Sequence, residues 1–152
     1  MTNLDKAIIC GVKENKFLSD IYAGISGVSD KIDFYRAVLK LIEQKEIPNV
    51  LICCCGHDCS KCLTFRATLF DDHDMRIASA AFYKNELNQD LPADAIHCFG
   101  GKSDEIMEGC SQCPYTKCCK EKGLNGCSEC PEYPCQMLGW YMEKYVYKVN
   151  QV

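Results

Sequence analysis

Residues 109–118 read GCSQCPYTKC, and residues 126–135 read GCSECPEYPC. The two segments are near copies, since both follow the pattern Cys-x2-Cys-Pro-x3-Cys. The two-residue gap lets a tight turn bring both sulfurs of a pair to one side, about 2.3 Å from a shared zinc ion. The same gap is awkward for a disulfide within the pair. The repeat therefore predicts a metal-binding framework that organises the fold around it.

A third cysteine cluster precedes the repeat. Residues 55–62 read CGHDCSKC, whose Cys-x3-Cys-x2-Cys spacing predicts three converging sulfurs. A tetrahedral site needs a fourth ligand, and Cys98 is an available donor. His57 and His97 lie inside the clusters, and either could replace a sulfur. Because thiols are in excess, we expect cysteines to supply the ligands.

The sequence predicts ten metal ligands, all of them cysteines that fit the spacing pattern. They are Cys55, Cys59, Cys62, Cys98, Cys110, Cys113, Cys118, Cys127, Cys130 and Cys135. Two tetrahedral sites use eight thiolates, so we expect about two zinc ions per chain. Spacing does not fix how the ten divide, because repeat units can bind separately or in a crossed arrangement. The cysteines that fit no spacing are expected to be ordinary buried or surface thiols. They are Cys10, Cys53, Cys54 and Cys119.

Cysteine is the unusual residue of the composition, with fourteen in 152 residues. Such a content is typical of disulfide scaffolds in short secreted chains. The apolar stretch near the N-terminus covers only residues 7–12, which is shorter than the core of a signal peptide. We therefore expect a cytoplasmic protein, and thiols in a reducing compartment are more often metal ligands than disulfides.

The charge and hydropathy patterns exclude two classes of partner. A net charge of −4 argues against nucleic acid, because that affinity comes mostly from clustered Lys and Arg. No stretch approaches the roughly 20 apolar residues that cross a bilayer, so we expect no membrane partner. No set of residues predicts a small-molecule substrate.

Apolar residues recur at helical spacing in several parts of the chain. Residues 29–46 form the clearest predicted helix, with Ser29 or Asp30 as N-cap and Pro48 as the stop. Residues 5–28 are a weaker helix prediction because they contain three glycines. Further helices are predicted over residues 62–70, from about 71 to 88, and from about 133 to 148.

These patterns predict a mainly α-helical, small single domain with irregular cysteine-rich metal-binding loops between the helices. Residues 1–50 contain one cysteine and many long aliphatic side chains, and we expect a helical N-terminal extension packed on the rest. Residues 51–152 form the predicted cysteine-rich metal-binding domain. The last helix has a second aromatic face, with Trp140 and Tyr147, which could contact a protein partner.

Residues 54 to about 140 resemble a prokaryotic family of cysteine-rich proteins of unknown function that are expected to bind zinc. The family signature is C-G-x-x-C-x-x-C, an acidic helix start, C-x-G-C, a cysteine pair, K-G, a second pair and Y-P-C. Here these read CGHDCSKC, DDHDMRIASAAFYKNEL, CFGG, CSQCPYTKC, KEKGLNGC and CSECPEYPC. The chain departs from the signature at Gly101, where the family places a cysteine, so Cys98 is the ligand with the least support. The resemblance implies metal binding and no known activity.

Three functions compete for this pattern. The first is a zinc-stabilised structural or interaction module, because closed four-thiolate sites are structural whereas catalytic zinc keeps an open position. The second is an iron–sulfur protein, since Cys-x3-Cys-x2-Cys is also the spacing of radical S-adenosylmethionine enzymes. Lys61 stands where those enzymes have an aromatic residue, and the chain shows too few strand patterns for their barrel. The third is a thiol redox protein that uses Cys53 or Cys54. We predict the first and expect no catalytic residues.

Overall fold

Short helices joined by loops make up the chain. The computed structural model describes residues 1–25, 27, 30–111 and 113–141. Its helices are α1 (Asn3–Lys13), α2 (Leu18–Gly24), α3 (Lys31–Glu43), α4 (Leu63–Phe70), α5 (His73–Leu87), α6 (Glu108–Ser111), α7 (Pro114–Lys122) and α8 (Gln136–Tyr141). Single 3₁₀ turns lie at Cys59–Lys61, Ala93–Ala95 and Cys127–Glu129. Within these ranges β-pairing is limited to one isolated bridge, between Ile52 and Asp58. The prediction of a mainly helical small domain is confirmed.

Capping side chains fix where the N-terminal helices begin. The Thr2 hydroxyl accepts the Asp5 amide, and the Asp5 carboxylate accepts the Thr2 amide, which forms a capping box. Asp30 accepts a backbone N–H at the start of α3, as predicted. α3 ends at Glu43, three residues before the predicted end. The reason is that Lys45 adopts a left-handed conformation with φ of 60°, which an α-helix cannot contain.

The predicted helix over residues 5–28 is divided into α1 and α2. Asn15 has a φ of 56°, so the chain turns after α1 instead of continuing the helix. Gly11 lies inside α1, where a Cβ atom would approach Ile21 Cγ1 to 2.6 Å. Gly11 therefore allows α2 to pack closely on α1, and it does not end the helix.

One apolar core joins the N-terminal helices to the middle of the chain. Tyr35 of α3 stacks on Phe99 with ring centroids 5.1 Å apart, and its edge meets Phe34 at 5.0 Å and Phe65 of α4 at 6.3 Å. The other buried members of this core are Ile8, Leu18, Ile21, Val38, Leu39, Leu41, Ile47, Leu51, Cys59 and Leu69. Each fully buried side chain of this kind contributes about 1.5–3 kcal/mol to folding. The core therefore holds residues from both sides of residue 50.

Helices α4 and α5 form a hairpin that is connected by polar contacts as well as by packing. The Thr64 and Ser79 hydroxyls are buried and lie 2.6 Å apart. Asp72 caps α5 by accepting the Met75 amide, which confirms that the acidic residues here begin a helix. Asn88 ends α5 in a left-handed conformation, at the position that the sequence predicts.

The two copies of the repeat fold differently. The first copy continues into α7, whose first internal bond runs from the Lys117 amide to the Cys113 carbonyl at 3.4 Å. Pro134 occupies the equivalent position in the second copy and has no N–H to donate. The second copy instead makes a turn in which the Tyr133 amide donates to the Cys130 carbonyl at 3.0 Å. The sequence analysis predicts no helix in the first copy, so α7 is an additional helix among the cysteine-rich loops.

The last described element is α8, in which Leu138 is buried. The predicted continuation to about residue 148, which includes Tyr147, lies outside what the structure describes, and so does the side chain of Trp140, the other member of the predicted aromatic partner face. In the described part of the chain, none of the helices has both the length and the apolar character that crossing a membrane requires.

Candidate functional site

A short loop brings Cys53 and Cys59 together. The Cys53 amide donates to the His57 carbonyl at 2.7 Å, which closes the loop above the Ile52–Asp58 bridge. Gly56 lies in the loop with a φ of 96°, a conformation that glycine adopts without strain. As a result, the sulfur atoms of Cys53 and Cys59 lie 3.1 Å apart.

The Asp58 carboxylate holds this loop in place. It accepts hydrogen bonds from the Asn49 side-chain amide at 3.0 Å, the Ser60 amide at 3.0 Å and the Ser60 hydroxyl at 2.6 Å. Burial opposes ionisation of Asp58, but the bonds from Ser60 and Asn49 outweigh it and lower its pKa. Asp58 therefore acts as a structural anchor beside the thiols.

Cys98 reaches the same place from the segment after α5. Its amide donates to the Thr68 hydroxyl at 2.9 Å, and its sulfur accepts the Gly100 amide at 3.3 Å. Burial, together with the charges of the Cys62 and Cys53 thiolates, raises the pKa of Cys98 to about 11. Gly100 also faces Cys59, because a Cβ atom on Gly100 would lie 3.7 Å from the Cys59 sulfur.

We call this set the first thiol group. It consists of Cys53, Cys59, Cys62 and Cys98. The bond with Cys53, followed by burial, raises the pKa of Cys59 well above its ordinary value. Cys110 lies near this group: although the residue is exposed, desolvation of its thiol and the charge of Cys98 raise its pKa to about 12.

A second set of cysteines surrounds Tyr115 of α7 and Leu138 of α8. These two side chains and Cys55 are buried against one another, and Cys53, Cys113, Cys127 and Cys135 pack around them. Cys53 therefore packs against both sets of residues. The Tyr115 hydroxyl donates to the Met137 carbonyl at 3.2 Å, which joins α7 to α8.

A cavity of about 40 Å³ lies beside Tyr115. The cysteines that line it are Cys118, Cys119, Cys127, Cys130 and Cys135. The sulfur atoms of Cys119 and Cys127 lie 3.7 Å apart. Lys122 borders the cavity with its ammonium 3.6 Å from the Cys130 sulfur and 3.0 Å from Glu132. We call the five cysteines of this cavity, together with Cys55 and Cys113, the second thiol group.

The structure divides the CGHDCSKC motif between the two groups. Cys59 and Cys62 lie in the first group, whereas Cys55 packs against Tyr115 in the second. The expected convergence of all three sulfurs of this motif is therefore not observed. Of the ten predicted ligands, three lie in the first group, six in the second, and Cys110 near the first.

Two cysteines that fit no spacing each lie against a predicted ligand. Cys53 is adjacent to Cys59, and Cys119 is adjacent to Cys127. Sequence spacing gives no signal for either contact, because each depends on how a loop or helix folds back. Cys54 and Cys119 are buried and Cys10 is exposed, in agreement with the prediction of buried or surface thiols.

The surroundings of the two histidines that could replace a sulfur differ. His97 Nε2 lies 3.0 Å from a carboxylate oxygen of Glu105, whose other oxygen is 2.7 Å from Lys31 Nζ of α3. His97 thereby belongs to a polar contact between the N-terminal helices and the following segment. Burial lowers the pKa of His57, so its imidazole is held in the neutral form.

The thiols fit zinc in donor type, but they approach one another in pairs. Two sulfurs on one tetrahedral zinc at about 2.3 Å are about 3.8 Å apart, and the Cys119–Cys127 separation matches this value. Over residues 1–25, 27, 30–111 and 113–141, no group of three or more Cys, His, Asp or Glu side chains is positioned to hold a metal ion. Further ligands would have to move towards each pair, and metal binding stays a prediction.

The sequence model of a protein family described as "Protein of unknown function (DUF3795)" matches residues 51–140, which is more than half of the chain. The chain belongs to the DUF3795 family. This confirms the predicted membership of a family of unknown function, although zinc binding by the family is not established by the match. The DUF3795 region contains both thiol groups and excludes α1, α2 and α3. No curated protein and no solved structure matches the chain significantly.

Proposed function

We propose that this DUF3795 protein is a zinc-binding, cysteine-rich module in which the metal holds the loops together. The observation that carries the proposal is the cavity beside Tyr115, which is lined by five cysteines. Thiolates are the preferred ligands of structural zinc, and tight loops with paired cysteines are their usual setting. About two ions per chain, one for each thiol group, is the occupancy that we propose.

The proposed role of the metal is structural. Catalytic zinc has three protein ligands, usually with histidine or carboxylate among them, and keeps one position open for water. Each thiol group contains at least four cysteines, which is enough to close a tetrahedral site without water. A protein partner is proposed in preference to nucleic acid, because the net charge is −4.

The proposed compartment is the cytoplasm. Zinc ligation needs free thiols, and the cytosol keeps cysteines reduced. Fourteen cysteines in an oxidising compartment would compete for disulfides instead.

A thiol redox function is the second candidate, and the contact between Cys53 and Cys59 favours it. The hydrogen bond from Cys59 lowers the pKa of Cys53, and the positive charge of Lys102 acts in the same direction. A thiolate of this kind can attack a partner disulfide, after which Cys59 displaces the partner. The products would be a Cys53–Cys59 disulfide and two partner thiols.

Purification in reducing buffer without added metal, followed by elemental analysis and an optical spectrum, tests the proposal. We expect about two zinc ions per chain and a colourless protein. A brown protein with stoichiometric iron and sulfide would assign an iron–sulfur function instead. A chain without metal that cycles reversibly between thiol and disulfide forms would favour the redox candidate.

A further inference from the structure

We propose that Cys53 is a metal ligand in the first thiol group, together with Cys59, Cys62 and Cys98, in the space that Gly101 leaves free. This inference rests on the proposed zinc binding. It adds a ligand that sequence spacing does not predict, and it gives the first thiol group four sulfurs.

The position of the Cys53 sulfur is the first argument. It lies 3.1 Å from the Cys59 sulfur, at the closed end of the loop that Asp58 anchors. Two sulfurs on one zinc ion are about 3.8 Å apart, so a bound ion has to push these two sulfurs slightly apart. Cys53 and Cys59 are held there by backbone bonds at both positions: the Cys53 amide donates to the His57 carbonyl, and the Cys59 amide donates to the Leu51 carbonyl. The pair is therefore fixed by the main chain.

The fit against Gly101 is the second argument. A Cβ atom on residue 101 would overlap the Cys53 sulfur and would lie 3.4 Å from the Cys53 Cβ. Any side chain at this position would displace Cys53 from Cys59. The absence of a side chain at residue 101 thus creates the volume that the Cys53 sulfur fills.

The surrounding backbone amides are the third argument. The Gly100 amide donates to the Cys98 sulfur at 3.3 Å, a Cβ atom on Gly100 would lie 3.7 Å from the Cys59 sulfur, and Gly101 faces the Cys53 sulfur. Hydrogen bonds to ligand atoms orient them and stabilise their charged form in metal sites. One glycine pair therefore faces three of the four sulfurs of the group.

A route to the site and a compensating charge complete the case. A cavity of about 250 Å³ borders Cys53 and is also lined by Lys102 and Gly126. An ion can reach Cys53 through it. Four thiolates around Zn²⁺ leave a net charge of −2, and the ammonium of Lys102 offsets part of it. The four sulfurs do not converge on one point in the structure, so binding requires the side chains to close around the ion.

Zinc content and zinc affinity of matched variants test this inference. The variants are Cys53→Ala, the control Cys10→Ala on the exposed side of α1, and the double variant Cys53→Ala/Gly101→Cys. Each is purified in reducing buffer, and zinc is measured by elemental analysis and by competition with a chromophoric chelator. In the double variant, the Cys53 sulfur is removed and a new thiol at position 101 places a sulfur in the same space.

We expect Cys53→Ala to lose about one zinc ion per chain or to bind that ion much more weakly. Removing a residue that only hydrogen-bonds to a ligand weakens metal affinity by roughly 10–100-fold, and the loss in Cys53→Ala should be larger than this. Cys10→Ala should keep the wild-type content, and the double variant should regain the lost ion. Wild-type zinc in Cys53→Ala would overturn the inference. Loss of zinc without recovery in the double variant would also overturn it, since Cys53 would then matter for packing alone. A wild-type protein that binds no zinc would instead contradict the proposed function.

Discussion

The core around α3 and the surroundings of the second thiol group differ in what fills them. Fourteen buried side chains, led by Phe34 and Tyr35, pack into the cluster that joins α1, α2, α3 and α4. Among the described residues, the cluster between α7 and α8 has three buried members, Cys55, Tyr115 and Leu138, and their other neighbours are partly buried cysteines. The first part of the molecule, which packs around α3, is thus stabilised by apolar burial. The second part, around α7 and α8, has mainly thiols in place of apolar side chains.

Magnitudes show why this difference matters. A buried large side chain contributes about 1.5–3 kcal/mol, while fixing the backbone of one residue costs roughly 1–2 kcal/mol. The three buried side chains of this second cluster do not by themselves offset the ordering of the described residues between 108 and 138. A structural zinc site binds with an apparent free energy of about 10–16 kcal/mol near neutral pH, which is comparable to the whole stability of a domain. The two parts should therefore respond differently to metal and to core mutations.

Metal removal should produce the largest effect and should be confined to one part. On treatment with a chelator in reducing buffer, we expect the amides of residues 108–138 to lose protection from hydrogen exchange. The amides of α1 and α3 should keep much of theirs, because their core is mainly apolar: Cys59 is the one predicted ligand among its buried members, and Cys62 packs at its edge. Exchange measured by mass spectrometry on peptides from both parts checks this. Equal loss of protection in both parts would show that they unfold as one unit.

The second largest effect should come from the loss of a single predicted ligand. Cys130→Ser, in the second copy of the repeat, should lose about one zinc ion per chain and its cooperative melting transition. Cys10→Ser should change neither, because Cys10 is exposed on α1 with its thiol 3.7 Å from Glu14. Parallel melting curves with metal content measured beforehand are the test. Full metal content and normal melting of Cys130→Ser would remove the repeat from the ligand framework.

A core mutation should act on the other part alone. Phe34→Ala removes a fully buried ring and should lower the free energy of unfolding by about 3–5 kcal/mol. Phe70→Ala is the matched control: the ring is 47% exposed, and its contacts with the Arg36 and Arg66 guanidiniums are worth about 0.5–1 kcal/mol. Urea unfolding gives both values. The zinc content of folded Phe34→Ala should equal that of the wild type, and a decrease would show that the core positions the thiols.

The smallest effect concerns the contact between α1 and α3. The Thr2 backbone amide and the Lys40 ammonium hold the pKa of Asp5 below its usual range. The carboxylate therefore stabilises the fold above the unfolded pKa of about 3.9, and this contribution is lost as the pH falls towards the folded pKa. Asp5→Asn should be less stable than the wild type by about 1–2 kcal/mol at pH 7.

Urea unfolding of Asp5→Asn and the wild type between pH 7 and pH 3 checks the sign. The difference between the two proteins should shrink below about pH 4, where the Asp5 carboxylate of the unfolded wild type becomes protonated, and it should vanish as the pH reaches the lower folded pKa. Loss of zinc at low pH affects both proteins alike and cancels in the comparison. A difference that does not change with pH would mean that the charge of Asp5 does not contribute.

The helices with clear caps were predictable because their signals are local. Asp30, Asp72 and Asn88 begin or end helices at the positions that the sequence indicates, since capping involves backbone groups within four residues. α7 was missed although its signal is also local. Pro114 stands at a first helical position, where proline is favoured, and only Pro134 prevents the second copy from forming the same helix.

The sequence by itself determined the helical class, the caps and the kind of metal ligand, because periodicity, capping and cysteine spacing act over a few residues. Only the tertiary structure decided which thiols are neighbours. Cys55 packs against Tyr115 and Leu138, and Cys53 meets Cys59 in the space beside Gly101. Cys119 meets Cys127 because α7 and the second copy pack on the same side of Tyr115. Such contacts depend on loop closure and core packing over many residues, which spacing along the chain does not encode.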